Sequence, residues 1–253
     1  MEIKEPIQKK IKIDTLTLES GADILIKEFN LIMNQPLLIE LAILGEDNYR
    51  DALATLNFDR ASFIGKLDMT EEEIMSVSDF EWIITILRIH DAKRINIQIF
   101  LEMCFKNYNI KLDLEQGKII FTNKNNDNNV IKVTSLNYQI LKDYINKIFY
   151  MEQKDESSFN TDSPLGERIA KKIAEGRKKV NAKSGQKHVL TNAISSLAVE
   201  LKLPLTTVYK EFTLYQFYTQ LKRQRKYDAS ENALRFILAG ARDVEREDWS
   251  GDL

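Results

Sequence analysis

Alternating and helical hydrophobic patterns succeed one another along the chain. Ile11, Ile13, Leu16 and Leu18 lie on alternating positions and predict one or two short strands over residues 10–18. From Ala22 to Met33 the apolar residues recur at helical spacing and stop before Pro36, which predicts a helix. A second helix is expected through Leu37 to Leu44. Thr70 followed three residues later by Glu73 is a capping box and marks a helix start. Asp79 to Phe105 is apolar enough to demand buried helices, although Ile95, Ile97 and Ile99 also fit a strand. Ile110, Leu112 and Leu114 alternate, Glu115-Gln116-Gly117 can turn, and Ile119 and Phe121 alternate again. A loop from Asn123 to Asn129 then leads to Val130–Val133, giving a small β-meander. Thr134 or Ser135 is expected to cap a helix whose stripe is Tyr138, Leu141, Ile145 and Ile148.

Beyond this point the pattern changes. Met151 to Ser163 is polar and reads as a linker, and Ser163-Pro164 with Glu167 reads as a helix start. Leu165 to Val180 predicts a basic helix with Ile169, Ile173 and Val180 on a narrow apolar stripe. After a loop around Gly185, helices are expected over Val189–Leu201, briefly from Pro204, over Phe212–Gln224, and over Asp228–Gly240. The fold class that follows is mainly α. Residues 1–150 form an acidic α+β domain, 151–163 a linker, and 164–253 an all-helical, basic domain with an acidic C-terminal tail.

Charge sharpens this division. Residues 164–226 carry 14 Lys or Arg against 4 Asp or Glu, whereas 227–253 carry 3 against 7 and the first 163 residues are net acidic. Such an arrangement fits charge complementarity within the chain or between copies as well as it fits a ligand. The 253 residues, 43% hydrophobic and 29% charged, are those of a soluble globular protein. The 9 glycines never lie closer than nine residues apart, which excludes dinucleotide-binding and P-loop fingerprints. Cys104 stands alone in an apolar run and reads as a buried thiol, while His90 and His188 read as ordinary polar and loop residues. No metal, cofactor or catalytic constellation is expected, and the glutamates at 71–73 suit the positive end of a helix dipole. The charged start and the lack of a long apolar run predict no signal peptide, no membrane span and a cytoplasmic location.

Two patterns in the basic half bear on function. Leu197-Ala198-Val199-Glu200-Leu201-Lys202-Leu203-Pro204-Leu205-Thr206-Thr207-Val208-Tyr209-Lys210 is similar to a helix-turn-helix signature. Ala198 would permit close helix packing, and Leu201, Leu203 and Val208 would fill the space between the helices. Thr206, Thr207, Tyr209 and Lys210 would project toward DNA. Lys202 stands at the turn position usually taken by glycine.

The second pattern is a resemblance. Glu167-Arg168-Ile169-Ala170-Lys171-Lys172-Ile173, Gly176-Arg177-Lys178-Lys179, Ile194-Ser195-Ser196-Leu197-Ala198-Val199, Thr213-Leu214-Tyr215-Gln216-Phe217, Leu238-Ala239-Gly240-Ala241 and Asp248-Trp249-Ser250 follow in order. Residues 164–253 thereby resemble the C-terminal region of tail assembly chaperones and neighbouring tail-module proteins of phages of low-GC bacteria. The resemblance implies a non-enzymatic chaperone that binds the tape measure or tail tube protein in the host cytoplasm, with self-association as a further expectation. Phe212, Tyr215, Phe217, Tyr218, Trp249 and the basic Arg177, Lys178 and Lys179 are the expected partner-binding residues. Nucleic acid is not expected as a partner under that reading. The alternatives are a baseplate, neck or tail component of the virion, and a helix-turn-helix DNA-binding protein.

Overall fold

A computed structural model describes residues 13–65, 68–149 and 189–240. It is mainly helical, with one two-stranded and one three-stranded antiparallel sheet. The expected linker and the basic helix over 165–180 lie outside the described residues.

Residues 13–33 depart from their pattern twice. Where alternation predicted strands, Thr15–Ser20 forms a short helix, α1. Asp14 caps it by accepting the Leu16 N–H at 3.3 Å, and Gly21 closes it in the left-handed region at φ +72°, so local capping overrides an alternation of four residues. Leu18 is buried and Leu16 is exposed. Where a helix was expected over Ala22–Met33, the chain forms a hairpin, β1 (Ile24–Ile26) and β2 (Leu31–Met33). Ile24, Ile26, Leu31 and Met33 point into the core, and Leu25 lies opposite Ile32 on the outer face. Both triplets are wholly apolar, so they satisfy either period; Asn30 at φ +51° provides the return that selects the hairpin.

α2 (Leu38–Leu44) forms as expected, and α3 (Glu46–Leu56) follows directly, a helix that the periodicity reading missed. After a short 3-10 turn at Arg60–Phe63 come α4 (Glu71–Ser76), α5 (Asp79–Ile89) and α6 (Asp91–Cys104). The capping box of α4 is present: the Thr70 N–H donates to Glu73 at 2.8 Å and the Glu73 N–H donates to Thr70 Oγ1 at 3.2 Å. Ile95, Ile97 and Ile99 lie on α6, where Ile97 alone of the three is buried.

The meander is β3 (Tyr108–Asp113), β4 (Lys118–Asn123) and β5 (Asn126–Val133), paired in that order. Its second turn is tighter than the expected 123–129 loop, because the polar residues from Asn126 onward already belong to β5. α7 (Tyr138–Ile148) buries its predicted stripe and Tyr144 as well. Its cap is Asn137, not Thr134 or Ser135; the Asn137 side chain turns back to accept the Thr134 N–H at 2.7 Å.

α8 (Val189–Glu200) and α9 (Leu205–Glu211) match expectation. The two helices expected over 212–240 are instead one 25-residue helix, α10 (Leu214–Leu238). No glycine or proline interrupts it, and the Asp228 that suggested a new start is merely a solvent-exposed position on its surface. Thr213 and Gln216 cap it reciprocally at 2.8 and 3.2 Å.

One continuous core runs from the hairpin through α2, α3, α5, α6, the meander and α7. It also takes in Leu190, Ile194, Leu197, Ala198, Val208, Leu214, Phe217 and Leu221 from the last three helices. The junction is hydrogen-bonded as well as apolar. The Leu38 N–H donates to the Phe212 carbonyl at 2.9 Å, Gln216 Nε2 to the Glu19 carbonyl at 2.8 Å, and Arg223 pairs with Glu19 at 3.0 Å.

Candidate functional site

α8 and α9 are joined by a four-residue turn whose geometry is dictated by backbone bonds. The Leu203 N–H reaches the Ala198 carbonyl at 3.0 Å and the Lys202 N–H reaches Val199 at 3.1 Å, which is a Schellman closure. Lys202 sits at its left-handed position, φ +55°. A glycine is the usual occupant there, and a side chain at such a position costs about 1–2 kcal/mol. Pro204 then ends the turn and opens α9, with Thr207 and Val208 N–H groups donating to its carbonyl at 2.9 and 3.3 Å.

The inner face of the pair is closed. Ile194, Leu197, Ala198 and Val208 are at most 4% exposed, so the small side chain of Ala198 lies within the packed inner face. Leu201 is partly buried against the core, as expected. Leu203 is not; it is 37% exposed and lies on the surface, because the turn carries it past the helix crossing. On the outer face Thr206 and Lys210 are exposed, whereas Thr207 is half-buried and Tyr209 packs partly against the core. Lys202 is exposed beside them. α9 also rests against α2, so one side of it is held by the front of the chain.

The aromatic residues of the resemblance are largely consumed by packing. Phe217 is fully buried, and Phe212, Tyr215 and Tyr218 are half-buried against the core. Thr219 on the same helix is buried as well. Tyr218 neighbours Tyr49 of α3: burial, then Tyr218, pushes the Tyr49 hydroxyl up to about 12, and burial chiefly raises that of Tyr218. Exposed apolar side chains gather instead at the end of α10, at Phe236, Ile237 and Leu238. Arg177, Lys178, Lys179 and Trp249 lie outside the described residues.

Sequence reasoning missed Glu46. This first residue of α3 reaches α8, where its carboxylate accepts the Leu190 N–H at 3.0 Å and the Thr191 N–H and hydroxyl at 3.4 Å. It pairs with Arg50 at 2.8 Å, and its side chain is only 9% exposed. Local pattern carries no signal for a contact between residues 144 apart.

Elsewhere the chemistry is quiet. Cys104 is buried, and burial pushes its thiol well above the ordinary value. A shallow groove of about 360 Å³ between α6 and β3 is lined by Ile95, Ile99, Ile110 and Leu112 with Arg94, Gln98 and Lys111. Among the described residues no group of three or more His, Cys, Asp or Glu is placed to hold a metal ion, and no helix is long and apolar enough to cross a membrane.

No curated protein and no solved structure matches the chain. Residues 181–253, the stretch that carries α8, α9 and α10, match the family model described as the YomV second domain, and that match points to a phage-derived protein family.

Proposed function

We propose that α8 and α9 form a nucleic-acid-binding helix-turn-helix within a phage-associated protein, with α9 as the helix that enters the major groove. The observation that supports this reading best is the turn: a non-glycine residue, Lys202, held in the left-handed conformation at the position where such units ordinarily place glycine. Around it the division of labour suits the role. Ala198 and Val208 close the helix crossing, while Lys202, Thr206 and Lys210 remain open to solvent for phosphate and base contacts. α10 adds the basic run Lys222-Arg223-Gln224-Arg225-Lys226.

Fluorescence anisotropy of the full chain with labelled duplex DNA, across a salt series, tests the proposal. Binding should weaken steeply with salt, and replacing Lys202 and Lys210 together with Glu should abolish it at moderate ionic strength. Salt-independent or undetectable binding by the folded protein overturns it.

A second reading, a chaperone that binds tape measure or tail tube protein, draws on the phage-derived family match and on the exposed Phe236, Ile237 and Leu238. A virion tail component would draw on the same observations. Purification of the tagged protein from phage-producing cells separates these from the first reading: tail proteins without nucleic acid favour the chaperone, and presence in finished particles favours the virion part.

A further inference from the structure

We infer that Glu46 occupies, from within the chain, the place of a backbone phosphate at the first helix of the pair, so that the acidic front segment restrains nucleic-acid binding. The inference rests on the helix-turn-helix reading. In such units the first helix crosses the sugar-phosphate backbone, and helix N-termini donate their free N–H groups to phosphate oxygens. Here those donors are engaged. The Leu190 and Thr191 N–H groups and the Thr191 hydroxyl all point at the two oxygens of Glu46. A carboxylate offers the same paired anionic oxygens as a phosphate, and it binds at a helix start for the same reasons of dipole and unsatisfied donors.

The carboxylate is also built in. Arg50, itself exposed, balances its charge at 2.8 Å, and the Glu46 side chain keeps only 9% of its exposure. The same front segment grips the helices at two other points, the Leu38–Phe212 backbone bond and the Gln216–Glu19 bond. A duplex that reaches the N-terminus of α8 must therefore displace Glu46. That displacement lowers the apparent affinity by the free energy of the contact, a coupling of the kind that shifts affinities about 5-fold or more.

The test is anisotropy of the full chain on a labelled duplex of about 20 base pairs, spanning two groove faces, at low salt. Glu46→Gln should bind about 5-fold tighter than the natural chain or better, and should exceed Asp47→Asn, which removes the same charge from the exposed neighbouring position. Equal tightening by Asp47→Asn overturns the inference, since general electrostatics then suffices. Equal affinity of Glu46→Gln and the natural chain overturns it too, while leaving the helix-turn-helix reading intact. Failure of every folded variant to bind duplex overturns that reading itself. Should Glu46→Gln not fold by circular dichroism, Glu46→Asp takes its place. Its carboxylate falls one methylene short of the amides, so tightening is expected and its absence counts against the inference.

Discussion

Helix starts in this protein are satisfied in two ways. α4, α5 and α10 close themselves within four residues, through Thr70 with Glu73, Ser78 with Glu81, and Thr213 with Gln216. The first turn of α8 donates to Glu46, which comes from a helix far back in the chain. A local box forms whenever its helix forms. The α8 contact exists only while the front segment and the last three helices are docked. The start of α8 is therefore held conditionally, whereas the starts of α4 and α5 are closed by their own sequence.

Removing the docking itself should have the largest effect. Leu197 is fully buried on the inner face of α8. Leu197→Ala should cost about 2–5 kcal/mol in denaturant unfolding, the range for emptying a close-packed site. Glu46→Ala comes next, at about 2 kcal/mol, because it leaves the part-buried Leu190 N–H and the Arg50 guanidinium without their charged acceptor. Ser78→Ala removes only a local cap and should cost about 1 kcal/mol. If Ser78→Ala proved more destabilising than Glu46→Ala, the distinction between conditional and self-contained helix starts would fall.

The same division explains what was legible in the sequence. The box at Thr70 pairs residues three apart, a spacing that can be read directly, and the unread box at Thr213 has the same spacing. The meander could be read because Ile110, Leu112 and Leu114 alternate with polar residues, Glu115-Gln116-Gly117 supplies a turn, and Ile119 and Phe121 resume the spacing. The hairpin could not, since Ile24-Leu25-Ile26 and Leu31-Ile32-Met33 contain no polar position to reveal a period. α10 was cut in two at Asp228 because a charged residue inside a long exposed helix resembles a cap. As for the site, the inner residues of α8 and α9 and the exposed Thr206 and Lys210 were readable from helical spacing, whereas Thr207 and Tyr209, expected to project, are half-buried because α9 packs against the core. Leu203 was not readable, because its exposure depends on the path of the turn. Glu46 depends wholly on tertiary docking, which no local spacing encodes.

α8 also lets the comparison be made within one helix, because its C-terminus closes locally through the Schellman bonds while its N-terminus relies on Glu46. Lys202→Gly should stabilise the protein by about 1 kcal/mol, relieving the left-handed strain at φ +55° at some cost in unfolded-state entropy. Urea midpoints of Lys202→Gly and the natural chain measure it, and a destabilised variant would show that the Lys202 side chain contributes more than its backbone strain costs.

The smallest effect separates the local boxes from one another by pH. Glu73 and Glu81 accept hydrogen bonds first from the backbone N–H and then from the side chain of Thr70 and Ser78, and these bonds lower both carboxyl pKa values below the ordinary 4.5. A group whose pKa is depressed by folding contributes its stability in full above the unfolded value and loses it as pH falls through the folded one. Both carboxylates are almost wholly solvent-exposed, so the loss is local fraying of the first turns of α4 and α5 and not unfolding of the protein. The box at the start of α10 uses Gln216, an uncharged acceptor, and has no such proton to take up. In an acid titration followed by Cα chemical shifts, residues 71–76 and 79–83 should lose helical shift before residues 214–218 do. Simultaneous loss at all three starts would mean that the caps respond to the fold as a whole, and the contrast between self-contained and conditional helix ends would then have to be redrawn.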